Sequence, residues 1–327
     1  MTIGLTYDLR SDYLKEGFTE EETAEFDKES TLEGIEESLH RLGYATERIG
    51  HLRQLMMRLG KGDRWDLVFN ICEGMYGVGR EAQVPCLLDA YRIPYTFSDP
   101  LVLSLTLNKA MTKQVIRGIG VLTPDFAVVE NEQDIENVRL PYPLFFKPNE
   151  EGSGKGIGYN SLARTADEFR IHCKALLRSL KQPVLVETFL PGREFTTGIA
   201  GTGDDSMVMG TMEIVYNPGL ETKIYSYEVK TFYEKFVTYR VPEENVAKSC
   251  AGLALKVWKG LGGRDAGRID LRMDESGRLN FIEINPLPGL NHITSDLPLL
   301  CYHNNYTFDF LIGKIISSAL SRVPKSI

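Results

Sequence analysis

Alternating apolar and polar residues near the end of the chain predict a β-hairpin. Ile269, Leu271 and Met273 are separated by polar residues, which is the two-residue period of a half-buried strand. Turn-forming residues occupy 274–277, and residues 279–285 continue as a second strand. Pairing would bring a guanidinium, two carboxylates and an amide to one face: Arg268, Asp270, Glu283 and Asn285. This set favours a Mg²⁺ site beside an anion-binding cation, and a solvated polar surface is the alternative that the hairpin alone leaves open.

The first hundred residues show strand and helix patterns in alternation. The predicted elements are strands at 3–7, 65–71 and 93–95 and helices at 30–42 and 80–91. This alternation predicts an α/β fold with a doubly wound parallel sheet over residues 1–100. Ligands bind beyond the carboxyl ends of the strands in such sheets, and residues 73–79 follow one of those ends.

The rest of the chain adds further strands and helices and one long loop. The predicted helices lie at 101–117, 165–180, 243–261 and 308–320, and the strands at 143–148, 184–187, 195–200 and 207–216. The loop at 217–236 has no clear period, and a loop of this length in an enzyme is often a lid. A chain of 327 residues is expected to form two or three packed subdomains.

The composition is that of an ordinary globular enzyme, with 43% hydrophobic and 25% charged residues. A net charge of −8 argues against a binder of nucleic acid or acidic membranes. The sequence has neither an apolar run of membrane-spanning length nor an N-terminal targeting pattern, so we expect a cytoplasmic protein. The five cysteines lack CxxC spacing and fit reduced thiols. The acidic run at 16–29 is interpreted as a solvated face.

A glycine-rich loop follows the strand that carries Lys147. Glycines alternate at four positions: Gly152, Gly154, Gly156 and Gly158. Glycine lets backbone N–H groups approach phosphate oxygens, and the preceding lysine favours a phosphate site. The loop matches neither the Walker A nor the GxGxxG pattern, and a flexible surface loop is the alternative.

The strand at 184–187 and the turn after it are a second candidate for nucleotide contacts. Backbone groups at such a strand end can pair with an adenine edge, and the Glu194 carboxylate can accept ribose hydroxyls. A core strand followed by a solvated glutamate explains the same residues.

Five motifs in a fixed order along the chain make the interpretation as a nucleotide site specific. The motifs are Leu107-Asn108-Lys109, Phe146-Lys147-Pro148 with the glycine loop, Val186 to Leu190 with Gly192 to Thr196, Gly267 to Asp270, and Glu283 to Gly289. The series resembles the ATP-grasp superfamily and, within it, the D-alanine–D-alanine ligases. This resemblance implies an N-terminal subdomain (1–100) followed by a two-lobed, α+β ATP-grasp fold, with a central subdomain (101–190) and a C-terminal subdomain carrying the metal site (191–327). It also implies an ATP-dependent ligase that joins two amino acids through an acyl phosphate and forms a homodimer, with cell-wall synthesis left open as its role.

The same resemblance implies roles for individual residues. ATP contacts fall on Lys109, Lys147, Gly152, Ser153, Gly154, Gly156, Glu187, Thr188, Phe189, Leu190, Glu194 and Lys230. The metal ligands are Asp270, Glu283 and Asn285, which would hold two Mg²⁺ ions, with Mn²⁺ able to substitute. The catalytic residues are Arg268, Gly289 and Ser153, where Arg268 and the Gly289 N–H would stabilise the oxyanion of a tetrahedral intermediate. Ser295 would hold the carboxylate of the second substrate.

The chain departs from the family where the amino acids bind. Glu73 replaces a histidine of the family, a change that disfavours a bare substrate carboxylate and favours an extra amine. Thr231 replaces an aromatic residue after the mobile-loop lysine. Either Asp27 or Glu29 stands for the glutamate that binds the substrate amine. We therefore expect a carboxylate–amine ligase whose amino-acid or natural-product substrate is not fixed as D-alanine, and a regulatory nucleotide-binding module is the second hypothesis.

Overall fold

The computed structural model describes residues 1–152, 154–218, 224, 229 and 233–323. The strands are β1 (Thr2–Tyr7), β2 (Ala45–Gly50), β3 (Leu67–Ile71), β4 (Phe126–Val129), β5 (Leu144–Pro148), β6 (Leu162–Ala163), β7 (Val184–Thr188), β8 (Glu194–Ala200), β9 (Met207–Tyr216), β10 (Val237–Arg240), β11 (Ala266–Met273) and β12 (Leu279–Asn285). The α-helices are α1 (Arg10–Lys15), α2 (Glu29–Arg41), α3 (Leu52–Gly60), α4 (Gln83–Ala90), α5 (Pro100–Leu107), α6 (Lys109–Gly118), α7 (Ala166–Leu180), α8 (Tyr233–Phe236), α9 (Glu244–Leu261), α10 (Asp296–His303) and α11 (Phe308–Ser321).

The first three strands form a parallel sheet in the order β2-β1-β3. β1 pairs in parallel with both neighbours, and every residue of β3 is buried. The predicted parallel α/β arrangement at the start of the chain is therefore confirmed. The apolar pattern does not predict β2, because this edge strand leaves its first four residues at least partly exposed.

The strand predicted at 93–95 is reduced to a single bridge beside β3. Tyr95 makes only an isolated parallel bridge to Val68. Arg92 and Phe97, on either side, have positive φ values of 56° and 72°. Residues in this left-handed conformation cannot continue an extended strand, so the pairing ends after one bridge.

Two antiparallel sheets follow, one in the order β10-β9-β8-β11-β12 and one in the order β4-β7-β5-β6. In the larger sheet, β11 and β12 form the predicted hairpin, with these register partners: Arg268 with Asn285, and Asp270 with Glu283. The connection covers residues 274–278, so the turn is one residue longer than the turn-forming stretch 274–277. The Asp274 carboxylate accepts hydrogen bonds from the backbone N–H groups of Ser276 and Arg278, at 2.9 and 3.0 Å, and holds this longer turn.

The single helix predicted at 101–117 is wrong, because α5 and α6 meet at Asn108. The backbone of Asn108 is extended (φ −85°, ψ 98°), and its side-chain oxygen accepts the Met111 N–H at 3.0 Å. A residue that caps the second helix cannot continue the first. Lys109 therefore begins α6 at the end of β5, where its backbone N–H donates to the Asn149 carbonyl at 3.0 Å.

A continuous apolar core joins the N-terminal sheet to the last two helices. Its members come from β1, α2, α10 and α11 and include Leu5, Leu39, Leu297 and Ile315. Leu287 and Leu290 belong to the same core, so the segment that follows β12 is fixed against the N-terminal sheet. A second core packs Trp258 of α9 against the five-stranded sheet. Across the helices that the structure describes, none is long and apolar enough to cross a membrane.

Candidate active site

Two adjacent cavities are lined by segments next to all three sheets. The larger has a volume of about 370 Å³ and is lined by N-terminal segments and by the chain that follows β12. The smaller, of about 100 Å³, lies between the two antiparallel sheets. Among the described residues, four line both cavities: Lys109, Glu151, Arg268 and Glu283. Molecules bound in the two cavities would meet at these residues.

Arg268 is held in a fixed orientation on the polar face of the hairpin. Its Nε and Nη2 donate to the two carboxylate oxygens of Asp270 at 2.9 and 3.1 Å, and its Nη1 lies 3.0 Å from Asp296 Oδ2. Burial by itself lowers the pKa of Arg268, but the carboxylates of Asp270 and Asp296 outweigh it and hold the pKa well above the usual range. Arg268 is therefore an oriented, permanent cation between the two cavities.

Asp270 is oriented from two further directions. The Thr196 hydroxyl donates to its Oδ1 at 2.7 Å, and the Asn285 amide donates to its Oδ2 at 3.4 Å. Adjacent strands thus fix the carboxylate, since Thr196 lies on β8 and Asn285 on β12.

Four charges, three of them buried, connect the hairpin to β7 and α6. Lys147 Nζ lies 3.3 Å from Glu283 Oε2 and 3.8 Å from Glu187 Oε2, and Lys113 Nζ lies 2.5 Å from Glu187 Oε1. Burial, opposed mainly by Glu187, lowers the pKa of Lys113 to about 8. Burial also acts to lower the pKa of Lys147, but Glu187 and Glu283 outweigh it and raise that pKa. The alternation of signs keeps Lys147 protonated in a nearly dry environment.

One end of the smaller cavity suits a planar base and a sugar. Residues at and just after the end of β7 line it: Thr188, Phe189 and Leu190. The Arg272 guanidinium lies over the Phe189 ring, 4.9 Å from its centroid, and its Nη1 lies 2.9 Å from Glu194 Oε2. The Tyr216 hydroxyl donates to the same oxygen at 2.6 Å. Glu194 is therefore an oriented acceptor at the edge of the cavity.

The glycine loop runs along the junction of the cavities. Gly152 lines the larger cavity and Gly154 the smaller. Gly154 and Gly156 have positive φ values of 73° and 72°, which glycine adopts without steric strain. Gly156 packs against Pro148, and a side chain there would collide with its ring. Gly156 thus allows the loop to pack closely against β5, while Gly152 and Gly154 face the cavities.

Lys109 approaches this loop from the first turn of α6. Its ammonium group donates to the backbone carbonyl of Glu151. Burial lowers the pKa of Lys109, and the nearby charge of Lys147 acts in the same direction, whereas Glu283 opposes it. An anion placed between the two lysines would therefore be strongly attracted.

Three predicted residues, Ser153, Lys230 and Thr231, lie outside the residues that the structure describes. Most of the predicted lid at 217–236 lies outside them as well. The roles assigned to them stay predictions.

The far end of the larger cavity combines backbone and hydroxyl groups. Gly289 and Ser295 both line it, and a Cβ atom at Gly289 would lie only 2.9 Å from Ser295 Oγ. The Asn291 backbone N–H donates to Ser295 Oγ at 3.0 Å. Ser295 therefore keeps its own hydroxyl proton available for an anionic acceptor.

Four carboxylates line the N-terminal wall of the larger cavity: Glu25, Asp27, Glu73 and Glu81. The interpretation of the run 16–29 as a solvated face is wrong for Glu25 and Asp27. The Arg10 N–H donates to the Asp27 carbonyl at 2.9 Å, which folds the run back beside the end of β1. Of the two candidates for the amine-binding carboxylate, Asp27 lines the cavity, whereas Glu29 forms a salt bridge with Arg48.

Burial dominates the titration of this wall. It raises the pKa of Asp27 and of Glu81 to about 7, with Arg80 opposing the effect at Glu81. It raises the pKa of Glu73 well above the usual range, and the negative charges of Glu81 and Glu25 add to the shift. A bound cation would oppose these shifts, because it stabilises the ionised forms of Asp27, Glu73 and Glu81.

Arg80 ties this wall to the glycine loop. Its Nη1 donates to the Glu150 carbonyl at 3.0 Å, and its Nη2 lies 3.1 Å from Glu25 Oε2. The Gly152 N–H donates to the other oxygen of Glu25. The acidic segment and the loop are thus joined through one arginine and one glutamate.

Asp270, Glu283 and Asn285 suit Mg²⁺ by their donor atoms. Two carboxylates and an amide oxygen are hard ligands, and they meet on one face of the hairpin. Within the described part of the chain, no group of three or more His, Cys, Asp or Glu side chains is arranged to hold a metal ion. Mg²⁺ sites that use one or two carboxylates together with substrate phosphates do not need such a group. The residues present therefore fit a metal whose coordination is completed by phosphates.

Sequence reasoning missed several residues that shape the cavities, namely Lys113, Arg80, Glu81, Arg272 and Asp296. Lys113 carries a usable signal, because it lies four residues after Lys109 and shares its helix face. Arg272 carries one too, because it lies two residues after Asp270 on the same face of the strand. Arg80, Glu81 and Asp296 become neighbours of the site only through packing between distant segments, which no local pattern indicates.

Comparisons with known proteins agree with this geometry. Residues 115–317 match the family model described as the D-ala D-ala ligase C-terminus. The D-alanine–D-alanine ligase of Aquifex aeolicus is 30% identical over 290 residues, which cover 88% of this chain and 94% of that protein.

Solved structures share the whole fold. The ATP complex of the D-alanine–D-alanine ligase from Bacillus anthracis has a TM-score of 0.73 at 20% identity and covers 98% of both chains. The VanG D-Ala:D-Ser ligase from Enterococcus faecalis has a TM-score of 0.73 at 18% identity and covers 97% of this chain and 99% of its own. By fold, motif order and identity to its relatives, the chain belongs to the D-alanine–D-alanine ligase family, whose fold is ATP-grasp.

Proposed function

We propose that this chain is an ATP-dependent ligase that joins the carboxylate of one amino acid to the amine of another. The observation that carries this proposal is the meeting of the two cavities at Lys109, Arg268 and Glu283. A nucleotide in the smaller cavity and two small substrates in the larger would bring their reacting groups to this junction. Relatives named as D-alanine–D-alanine ligases support the reaction class, and a neighbour named as a D-Ala:D-Ser ligase supports variation in the second amino acid.

ATP is assigned to the smaller cavity. The base lies against Phe189 and Leu190, and the ribose hydroxyls donate to Glu194, which Arg272 and Tyr216 already orient. Lys109, Lys147 and the N–H groups of the glycine loop attract the phosphates, because they supply positive charge in a largely buried setting.

Asp270, Glu283 and Asn285 are proposed to hold Mg²⁺, with two ions expected and Mn²⁺ able to substitute. When bound, the metal would supply positive charge that neutralises phosphate oxygens. Glu283 contacts Lys147 at 3.3 Å, so the metal ligand and a phosphate-binding lysine are held together before any ligand arrives.

The proposed reaction has two steps. A carboxylate oxygen of the first amino acid forms a bond to the γ-phosphorus of ATP, the bond from that phosphorus to the bridging oxygen breaks, and ADP leaves. The amine of the second amino acid then forms a bond to the acyl carbon, loses a proton, and phosphate leaves as the acyl–oxygen bond breaks. Arg268 and the Gly289 N–H stabilise the oxyanion of the second step, and Ser295 donates to the carboxylate of the second amino acid.

The test couples ADP release to identification of the product by mass spectrometry, over a panel of D- and L-amino acids in pairs. Asp270→Asn is expected to lower turnover by at least about 1000-fold, because it removes a metal ligand and one partner of Arg268. Asp205→Asn, at an exposed carboxylate, is the matched control and keeps full activity. ADP release with no ligated product from any pair would refute the ligase and favour the regulatory nucleotide-binding module. Unchanged activity of Asp270→Asn would refute the metal assignment.

A homodimer and a cytoplasmic location are also proposed. Light scattering of the purified protein measures the first, and cell fractionation measures the second. A mass of 36.8 kDa by light scattering would refute the dimer.

A further inference from the structure

We propose that the first amino acid carries a second amine on its side chain, so that the acyl donor is a diamino acid. This inference rests on the proposed function and names the substrate class of the same site. Its location is the larger cavity, which opens onto the reaction junction, and the carboxylates of the N-terminal wall decide what the cavity accepts.

The wall has more carboxylates than an ordinary amino acid can use. One carboxylate suffices for the α-ammonium group, and Asp27 is the candidate for it. Glu25 is already engaged, since it accepts the Gly152 N–H and forms a salt bridge with Arg80. Glu73 and Glu81 are then left over, and both line the cavity.

Glu73 and Glu81 have no direct cationic partner in the described part of the chain, although the nearby charge of Arg80 acts on both and that of Lys109 acts on Glu81. Neither side chain makes a hydrogen bond or a salt bridge with any residue that the structure describes. Three cations beside this wall have other direct partners: Arg80 contacts Glu25 and Glu151, Arg10 contacts Glu20, and Lys109 contacts the Glu151 carbonyl. Lys28 also lines the cavity, but it is exposed. A cationic ligand group would therefore supply the direct partner that Glu73 and Glu81 lack.

Burial strengthens this preference. The raised pKa values of Glu73 and Glu81 mean that the cavity disfavours the ionised form of both carboxylates when it has no ligand cation in it. An ammonium group placed between them would favour the ionised forms and make charge-assisted hydrogen bonds with them. A neutral side chain in the same place would leave two polar groups without partners, which disfavours binding.

The competing explanation is that Glu73 and Glu81 share protons with each other and serve only the fold. In that case neutral amino acids would be accepted at least as well as diamino acids. The two explanations therefore predict opposite substrate preferences.

The experiment compares matched pairs of acyl donors that differ only in the terminal group. Ornithine is paired with norvaline, and 2,4-diaminobutyrate with 2-aminobutyrate, each as both enantiomers, alone and with D-alanine as acceptor. Phosphate release gives kcat and KM, and fragmentation of the product by mass spectrometry identifies the residue in the acyl position. We expect the diamino acid in the acyl position, with kcat/KM at least tenfold above that of its neutral partner.

Variants assign the preference to the wall. Glu73→Gln and Glu81→Gln are each expected to raise KM for the diamino acid at least tenfold, with little change for the neutral partner. Glu275→Gln, at an exposed carboxylate in the hairpin turn, is the matched control and leaves both values unchanged. Thermal unfolding and binding of a non-hydrolysable ATP analogue verify that each variant is folded.

The outcomes separate the two levels of the proposal. Neutral amino acids ligated as efficiently as diamino acids, or a preference that survives in both glutamine variants, would refute the diamino acid while leaving the ligase intact. No ligated product from any amino acid would refute the ligase and the diamino acid together.

Discussion

Asp27 and Glu81 titrate near neutral pH because both carboxylates are partly buried beside other negative charges. Their pKa values are about 7, whereas an unfolded chain titrates them near 4. At pH values between about 4 and about 7, the folded protein therefore keeps protons on these two carboxylates that the unfolded chain has lost. The contribution of these two groups to the free energy of unfolding therefore falls as pH rises from about 4 to about 7. Carboxylates usually show the reverse behaviour.

Asp27→Asn tests this directly in the ligand-free protein. The variant cannot ionise at this position, so its stability relative to the wild type is expected to rise between pH 5 and pH 8, by on the order of 1–3 kcal/mol. Urea unfolding at both pH values measures the difference, with Glu275→Gln as the control. A wild type that gains stability relative to Asp27→Asn as pH rises would contradict the raised pKa.

At the residue scale, sequence alone identifies side chains whose chemistry is carried by a local motif. Lys147 and Glu187 flank or end strands, and Asp270 and Glu283 face each other across a hairpin. The face on which each of these side chains lies follows from the alternation of side chains along a strand. Glu25 could not be recognised, because its place in the cavity depends on a segment that folds back beside the end of β1 and on a salt bridge to Arg80.

Among the elements, the break between α5 and α6 has the clearest consequence for the site. The capped start of α6 at Asn108 sets Lys109 against the glycine loop. Asn108 also donates to the Glu150 carboxylate at 3.1 Å, so the same residue contacts the loop itself. A continuous helix from 101 to 117 would carry Lys109 past this position.

Asn108→Ala is expected to raise KM for ATP about tenfold and to lower stability by about 1 kcal/mol, because the cap and the contact with Glu150 are lost. Thr307→Ala is the control, since Thr307 caps α11 through Phe310 in the same way. The control is expected to lose similar stability with no change in KM. Equal KM effects in both variants would mean that Asn108 acts only on global stability.

Element prediction succeeded where one face of an element is buried. The hairpin, the parallel strands β1 and β3 and the helices α7, α9 and α11 follow their apolar patterns. It failed at β2 and in the helix pair, since an exposed edge strand lacks the pattern and a capping asparagine resembles a helix interior.

At the scale of the whole molecule, the shared core around Leu5, Leu297 and Ile315 fixes the N-terminal sheet against the segment after β12. The larger cavity lies between these two parts, so its width is set by apolar packing. The division into subdomains at 1–100, 101–190 and 191–327 stays a prediction.

ATP with Mg²⁺ is expected to raise the unfolding temperature, since a ligand at 100 times its Kd stabilises by about 2.7 kcal/mol. ATP with a chelator in place of Mg²⁺ should give a smaller rise. Glu283→Gln should remove the difference between the two conditions, whereas Asp205→Asn should preserve it. Scanning calorimetry provides the measurement, and an equal rise with and without Mg²⁺ in the wild type would refute the metal site.

The row of charges formed by Lys113, Glu187, Lys147 and Glu283 has a consequence for how these positions diverge among relatives. Removing one member leaves an uncompensated buried charge, at a cost of about 3–5 kcal/mol. Lys113→Met is therefore expected to be much less stable than the wild type, and Lys113→Met with Glu187→Gln to recover part of the loss. A double-mutant cycle measures the coupling, and additive effects would contradict it. The residues at positions 113 and 187 should accordingly covary among related sequences.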